Sequence, residues 1–261
     1  MTFCSGCDKL PSMLRPHEPP PFKIVRPRAR GRVVLICDHA SHRIPEALGT
    51  LGVSEADRLT HIGWDIGAAE VARGLSELLD ATLVLAGYSR LVIDANRPPH
   101  VASAMPTVSG GVRIPGNEGL DEAARAARVE TFHRPYHAAI TDLLDQRPQD
   151  TLLLSIHSFT PEPLHGSPRP WPISMLYGRD TRLAHRFLAE LRRDDPSLLV
   201  GDNEPYRVSD ESDWAIPVHG ERRGLLHTAF ELRQDGIAER SRARAWAERI
   251  ARVHRGLEAS L

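Results

Sequence analysis

A strand–helix alternation over a single apolar core predicts a three-layer α/β sandwich, a mixed and mostly parallel sheet held between helical layers. Three observations carry this. Val33-Val34-Leu35-Ile36-Cys37 is a continuous apolar run of strand length, suited to a strand buried on both faces, and it ends abruptly in Asp38-His39. Leu152-Leu153-Leu154-Ser155-Ile156 has the same grammar and ends in His157-Ser158. Apolar stripes at helical spacing run from Ile66 to Leu79, from Thr181 to Arg193 and from Glu239 to Leu257. Ligands and catalytic groups collect at the carboxyl ends of such strands. The two His-bearing ends are therefore expected to be neighbours or near-neighbours, close enough for both imidazoles to reach one metal ion.

The size, 261 residues and 29.0 kDa, suffices for one large α/β domain over residues 31–261, preceded by an irregular arm over 1–30. Lys plus Arg number 33 and Asp plus Glu 34, which gives no basic footprint for nucleic acid. No apolar run approaches the ~18 residues of a membrane span, and the N-terminus lacks a basic-then-apolar leader, so a soluble cytoplasmic protein is expected. Cys4-Ser5-Gly6-Cys7 is half of a zinc-ribbon signature without its other half, since Cys37 sits in a predicted buried strand.

Taken in order, the arm is rich in Pro and Arg, with Pro19-Pro20-Pro21 at its middle. After the first strand, Ser54-Glu55-Ala56-Asp57 can cap and open a short helix. Asp65 precedes the next helix, where its plain reading is an N-cap. Thr82–Ala86 and Arg90–Ile93 read as strands around Gly87-Tyr88-Ser89. The Gly- and Pro-rich stretch 98–120 is long for a structureless connection, which marks it as an active-site loop or lid. A helix over 121–144 is expected to bend or break at Pro135. An irregular loop over 160–172 leads to a short strand at 173–177 and a helix at 181–193. A polar irregular stretch at 201–224 is followed by the last strand at 225–232 and a closing helix at 239–257.

A hydrolytic zinc site takes three protein ligands from His, Asp and Glu, leaves one position open, and has a group nearby to move the proton. His39 and His157 supply two ligands. The third is open among Asp38, His42, His61 and Asp65, with Asp65 narrowly favoured because a helix start places its carboxylate at the sheet rim. Asp38 points to the opposite side of the strand from His39 if extended backbone persists that far. Glu231, charged within Ala229-Phe230-Glu231-Leu232-Arg233, is costly in a strand unless paired with an arginine or functional. It fits a general base that later returns its proton to the leaving amine, and is itself an alternative third ligand. Arg97, with Asn96 beside it and Asp94 to hold it, can take a substrate carboxylate in a two-pronged grip. Ser41 and Arg233 join them as candidate substrate contacts. There is no G-x-S-x-G elbow, Walker loop or G-x-G-x-x-G fingerprint, and Gly63-x-x-x-Gly67 is a helix start.

Several segments, in order, resemble the N-formylglutamate amidohydrolase family: Cys37-Asp38-His39-Ala40-Ser41-His42, His61-Ile62-Gly63-Trp64-Asp65-Ile66-Gly67-Ala68, Ser89-Arg90-Leu91-Val92-Ile93-Asp94-Ala95-Asn96-Arg97-Pro98, Ile156-His157-Ser158-Phe159-Thr160-Pro161, Arg169-Pro170-Trp171-Pro172, Gly201-Asp202-Asn203-Glu204-Pro205-Tyr206 and Phe230-Glu231-Leu232-Arg233-Gln234-Asp235. The resemblance implies a fold similar to the zinc carboxypeptidases and the succinylglutamate and aspartoacyl hydrolases. It implies hydrolysis of N-formyl-L-glutamate, or a related N-acyl amino acid, by metal-activated water. Carried over, it implies His39, His157 and Asp65 as ligands of one zinc or other divalent ion per chain, Glu231 in proton transfer, and Arg97 with Asn96 near the substrate carboxylate. A small carboxylate-bearing substrate is the expected partner; oligomeric state is not legible. The rival readings are a different amide hydrolase or deacylase on this scaffold and a non-catalytic small-molecule binding protein.

Overall fold

A computed structural model describes residues 13–258. The Cys4–Cys7 arm lies outside the described residues. Seven strands form the main sheet: β1 (Phe22–Val25), β2 (Val33–Cys37), β3 (Thr82–Ala86), β6 (Leu152–Phe159), β7 (Ile173–Leu176), β8 (Val200–Asp202) and β9 (Leu226–Arg233). A separate two-residue hairpin pairs β4 (Val108–Ser109) with β5 (Val112–Arg113). The helices are α1 (Glu55–Arg58), α2 (Ala68–Leu78), α3 (Glu122–Arg128), α4 (Arg134–Asp145), α5 (Arg182–Asp194) and α6 (Arg240–Glu258).

The sheet order is β1-β3-β2-β6-β9-β7-β8. β3, β2, β6 and β9 run parallel, β7 turns antiparallel to β9, and β8 follows β7 in parallel. The predicted mixed, mostly parallel sheet is thus present. The His39 and His157 strands are immediate neighbours, Ile36 pairing with Ser155. One face carries Leu35, Leu83, Leu154, Ile156 and Phe230 beneath α2, α5 and α6. The other carries Val34, Ile36, Val84 and Leu153 beneath α4, whose Tyr136 and Ile140 meet them. Alternation along each strand sends successive side chains to opposite layers, so a site on one face uses every second residue. Among the described residues no helix is long and apolar enough to cross a membrane.

Four expectations are corrected. Part of the expected irregular arm is an edge strand: Phe22–Val25 pairs antiparallel with β3. Phe22 and Val25 are partly buried and Lys23 and Ile24 exposed, so it has no alternating pattern to stand out among the prolines. Arg90–Ile93 is not a strand but a buried turn, with Val92 N–H donating to Ser89 O at 2.9 Å. Its apolar residues are buried in a separate cluster with Ile62, Met105, Ile114 and Phe132, so their hydrophobicity reflects burial rather than sheet pairing. The 98–120 stretch holds the β4–β5 hairpin, whose turn uses Gly110 and Gly111 at φ of 54° and 80°. The expected break near Pro135 is a π-helical turn at Val129–His133 joining α3 to α4. Pro135 then lies in the first turn of α4, where its missing N–H costs least.

The 98–120 stretch is anchored by a buried cation. Arg128 on α3 is 1% exposed and donates to Val92 O at 3.0 Å, Asn117 Oδ1 at 2.6 Å and Gly116 O at 2.8 Å. Burial and the nearby Arg125 pull its pKa down to about 10. Arg128→Met removes the donors but leaves two buried acceptors and one partly buried one, and is expected to destabilise the protein by roughly 2–3 kcal/mol in denaturant unfolding. Protease cleavage within 98–120 should rise in parallel; an unchanged unfolding midpoint would contradict this anchoring role.

Candidate metal centre and active site

β2 ends at Cys37, and the next two residues diverge as alternation requires. Asp38 turns to the α4 layer, where Tyr136 O–H donates to its Oδ1 at 2.7 Å. His39 turns to the sheet's carboxyl rim. His157, on the adjoining strand, brings its ring centroid to 5.1 Å from that of His39. Asp65 is not the cap of α2; Gly67 is, at φ 82°. A Cβ on Gly67 would lie 2.3 Å from Ile237 O, so only glycine allows this tight entry. The turn sends the Asp65 carboxylate back to the sheet rim, while its N–H donates to His39 O at 3.0 Å.

Asp65 Oδ2 lies 3.0 Å from His157 Nδ1 and 3.3 Å from His39 Nδ1, and accepts from Ser158 N–H at 3.1 Å. His39, Asp65 and His157 are all buried, and one donor atom from each falls within 4.8 Å of the others. This cluster can chelate a divalent metal ion. Both imidazoles turn the same nitrogen, Nδ1, to the cluster and give the other to a carboxylate. His39 Nε2 is 2.7 Å from Asp94 Oδ1, and His157 Nε2 is 3.1 Å from Asp38 Oδ2 and 2.9 Å from Ser155 Oγ. A carboxylate on the far nitrogen fixes the tautomer and leaves Nδ1 free to bind metal, as metal-ligating histidines require. Asp38 therefore supports a candidate ligand rather than joining the cluster. His42 packs on Trp64, ring centroids 5.2 Å apart, and His61 lines the cavity outside the cluster.

Arg90, which the sequence did not single out, sits between these acids. Its Nη2 and Nε donate to Asp94 Oδ2 at 2.7 and 3.1 Å, and its Nη1 is 3.4 Å from Asp65 Oδ1. Its spacing of four residues before Asp94 was the available signal. The strand expected there would have sent the two side chains to the same face without bringing them together.

Charge follows geometry. Burial and Arg90 press the His39 pKa down, but Asp94 and Asp65 outweigh them and the net direction is up. Burial acts likewise on His157, and the bonds to Asp38 and Asp65 carry it well above its ordinary value. Burial raises Asp65 and Asp38, yet the imidazoles win: Asp65 falls far below the carboxylate range and Asp38 to about 2. Glu231 goes the other way, pushed up to about 7 by burial.

These directions fix a sign. In metal-free protein, an imidazole with a raised folded pKa stabilises fully below its unfolded pKa of ~6.5 and loses that contribution as pH rises through the folded value. Glu231, protonated more readily folded than unfolded, makes stability fall over about pH 4.5 to 7 as well. Chelator-treated protein should therefore melt at lower temperature as pH rises from about 5 to 8. Metal affinity should strengthen over the same range, because binding displaces protons. Calorimetric scans with and without zinc check both slopes; parallel slopes would contradict the shared site.

Glu231 stands on β9 directly across from His157 on one side and Ser174 on the other. It is 7% exposed, and its Oε2 has no hydrogen-bond partner among the described residues. The expected bland partner, Arg233, is elsewhere: its Nε donates to Asp235 at 2.9 Å and its Nη1 to Arg169 O at 3.1 Å. Ser41 is in the irregular stretch after β2, and its Oγ accepts from Arg43 N–H at 3.2 Å. Neither Ser41 nor Arg233 lines the cavity, which sets both apart from the other expected site residues.

That cavity, about 300 Å³, joins His39, Asp65, His157 and Glu231 to Arg90, Arg97 and Arg207. Arg97 Nη1 donates to Ser212 O and lies 3.4 Å from Asp213 Oδ1. The Asn96 amide accepts from Trp214 and Ala215 N–H at 3.2 and 3.0 Å and donates to Asp213 at 3.3 Å. It thereby staples the 212–215 segment beside Arg97 and keeps one amide N–H for a ligand.

The profile of the N-formylglutamate amidohydrolase family matches residues 31–238. A crystal structure of a gene product from Agrobacterium tumefaciens is 38% identical, with a TM-score of 0.88 over 94% of this chain and 99% of that one. The crystal structure of N-formylglutamate amidohydrolase from Ralstonia eutropha JMP134 is 20% identical, with a TM-score of 0.67 over 92% and 99%, and shares the fold. Among functionally curated proteins none matches the chain significantly. With a family profile spanning most of the sequence and a buried two-histidine, one-aspartate cluster at its sheet rim, the chain belongs to the N-formylglutamate amidohydrolase family.

Proposed function

We propose that this protein is a zinc-dependent amidohydrolase that cleaves N-formyl-L-glutamate or a related N-acyl amino acid. The observation that carries the reading is the pairing of a chelating cluster with an unbonded buried carboxylate, Glu231, on the adjacent strand in the same cavity. His39, His157 and Asp65 hold the ion, a mixture of imidazole and carboxylate suited to zinc. When bound, zinc polarises the amide carbonyl and acidifies water.

The chain's own residues do the rest. Glu231 takes a proton from the attacking water as its oxygen adds to the acyl carbon. The same carboxyl then returns a proton to the nitrogen, which leaves as a neutral amine because an amide anion is far too basic. Arg90, held by Asp94 beside Asp65, is the cation placed to stabilise the negative charge that develops on the former carbonyl oxygen. Arg97, braced by Asp213 and Ser212, receives the substrate carboxylate.

The test is a panel of N-acyl amino acids, acidic and neutral, assayed for released amine with and without zinc. Zinc-dependent turnover of the acidic members is expected, with Arg97→Lys raising KM for them. Binding without turnover would identify a small-molecule binding protein instead, and equal cleavage of neutral amides would remove the carboxylate role of Arg97.

A further inference from the structure

The cavity has a second character. Leu176, Val208, Ile216 and Ala229 line it and form a hydrophobic cluster of their own, apart from the cores on either side of the sheet. Leu176 and Ala229 face each other across β7 and β9. Ala229 precedes Glu231 by two residues and shares its strand face, so this wall begins about 7 Å along the strand from the proposed base. Leu176, Ile216 and Ala229 are 5%, 3% and 4% exposed, against 28% for the side chain of Arg97. Arg97 is on the open side of the cavity and Arg90 is held inside against Asp65 and Asp94, while Leu176, Ile216 and Ala229, with the partly buried Val208, form its closed apolar side.

Resting on the amidohydrolase reading, we propose that the preferred substrate carries a short aliphatic acyl group, acetyl to butyryl, lodged against Leu176, Val208, Ile216 and Ala229. A molecule with its carboxylate at the mouth and its amide beside Glu231 turns its acyl end inward. A formyl group presents only hydrogen there and leaves the wall facing water. Each added carbon removes apolar surface of both partners from water, worth about fourfold in affinity. The reaction is the same hydrolysis: the acyl carbon–nitrogen bond breaks, the water's hydroxyl joins the acyl carbon, and its proton goes to the amine.

The zinc-loaded protein is assayed on N-formyl-, N-acetyl-, N-propionyl- and N-butyryl-L-glutamate, with kcat and KM resolved separately. Formamides differ in intrinsic reactivity, so KM is the deciding quantity. KM should fall about fourfold per carbon from acetyl to butyryl and be highest for formyl. Ala229→Leu fills the wall and should lower kcat/KM for butyryl relative to formyl by about tenfold or more, while Ile216→Ala should move the optimum to longer chains. Melting curves confirm that each variant is folded, and the unmutated series stands without them. A KM that is flat or rises with chain length, or turnover of the formyl compound alone, overturns the acyl proposal and leaves the amidohydrolase reading intact. No turnover of any member, formyl included, overturns both.

Discussion

Glu231→Gln should lower kcat by a factor on the order of 10² to 10⁴, the usual worth of a positioned acid–base group. The substitution keeps size and removes the proposed base. Because Glu231 Oε2 makes no hydrogen bond among the described residues, no protein partner is stranded there by the change. Zinc content should therefore stay close to that of the unmutated protein, and the metal-free variant should lose the part of the fall in stability over about pH 4.5 to 7 that Glu231 contributes. In the metal-free protein burial pushes the Glu231 carboxyl up to about 7, a bound divalent ion would bring it down again, and it must be ionised to accept the water's proton. Activity of the unmutated protein should thus fall as acid protonates Glu231, at a pH below the metal-free value, and the residual activity of the glutamine variant should lack that limb. Near-normal kcat in the variant would return Glu231 to a structural role and move the base to His61, which also lines the cavity. Loss of zinc would make Glu231 the third ligand and reduce Asp65 to a support.

Substitution of His157 by Ala should abolish zinc binding and activity together, a larger effect than any other single change considered. His157 joins the cluster to the network behind it: Nδ1 meets Asp65, and Nε2 meets Asp38 and Ser155. Its removal takes away one proposed ligand and leaves two buried carboxylates, Asp65 and Asp38, without their shared partner. Breaking a buried ion pair from one side typically costs ~3–5 kcal/mol, so the metal-free variant should also be less stable below about pH 6.5, where the imidazolium contributes. Asp38→Asn is the graded counterpart. It keeps the ligands, weakens the hold on Nε2–H, and should lower zinc affinity about 10- to 100-fold in competition with a chromophoric chelator. Retained stoichiometric zinc in the His157→Ala protein would remove this residue from the site.

Much of this arrangement was written locally. The apolar runs ending at His39 and His157 specified two buried strands, and they lie side by side with their rings in contact. Glu231 betrayed itself as a charge within an otherwise apolar strand, and the sheet sets it level with His157. What escaped depends on pairings distant in sequence or on backbone turns that periodicity does not encode. Arg90 joins Asp94 and Asp65 only because Ser89–Ile93 folds as a turn. Asp38 was legible as facing away from His39, but not as meeting His157, a contact made by the neighbouring strand. Asn96 looked like a substrate donor, yet most of its hydrogen-bonding capacity goes to a segment more than a hundred residues away. The edge strand Phe22–Val25 is defined by its partner β3, not by a pattern of its own.

The central claim is one ion held by His39, His157 and Asp65. X-ray absorption at the zinc edge, on full-length protein loaded with one equivalent of zinc, reads those ligands directly. The expected result is a first shell of nitrogen and oxygen at ~2.0–2.1 Å with outer-shell scattering from two imidazoles, reduced to one imidazole or lost with the metal in His157→Ala. A sulfur shell at ~2.3 Å, which would place the ion on Cys4, Cys7 or Cys37, or a spectrum unchanged by His157→Ala, would contradict it.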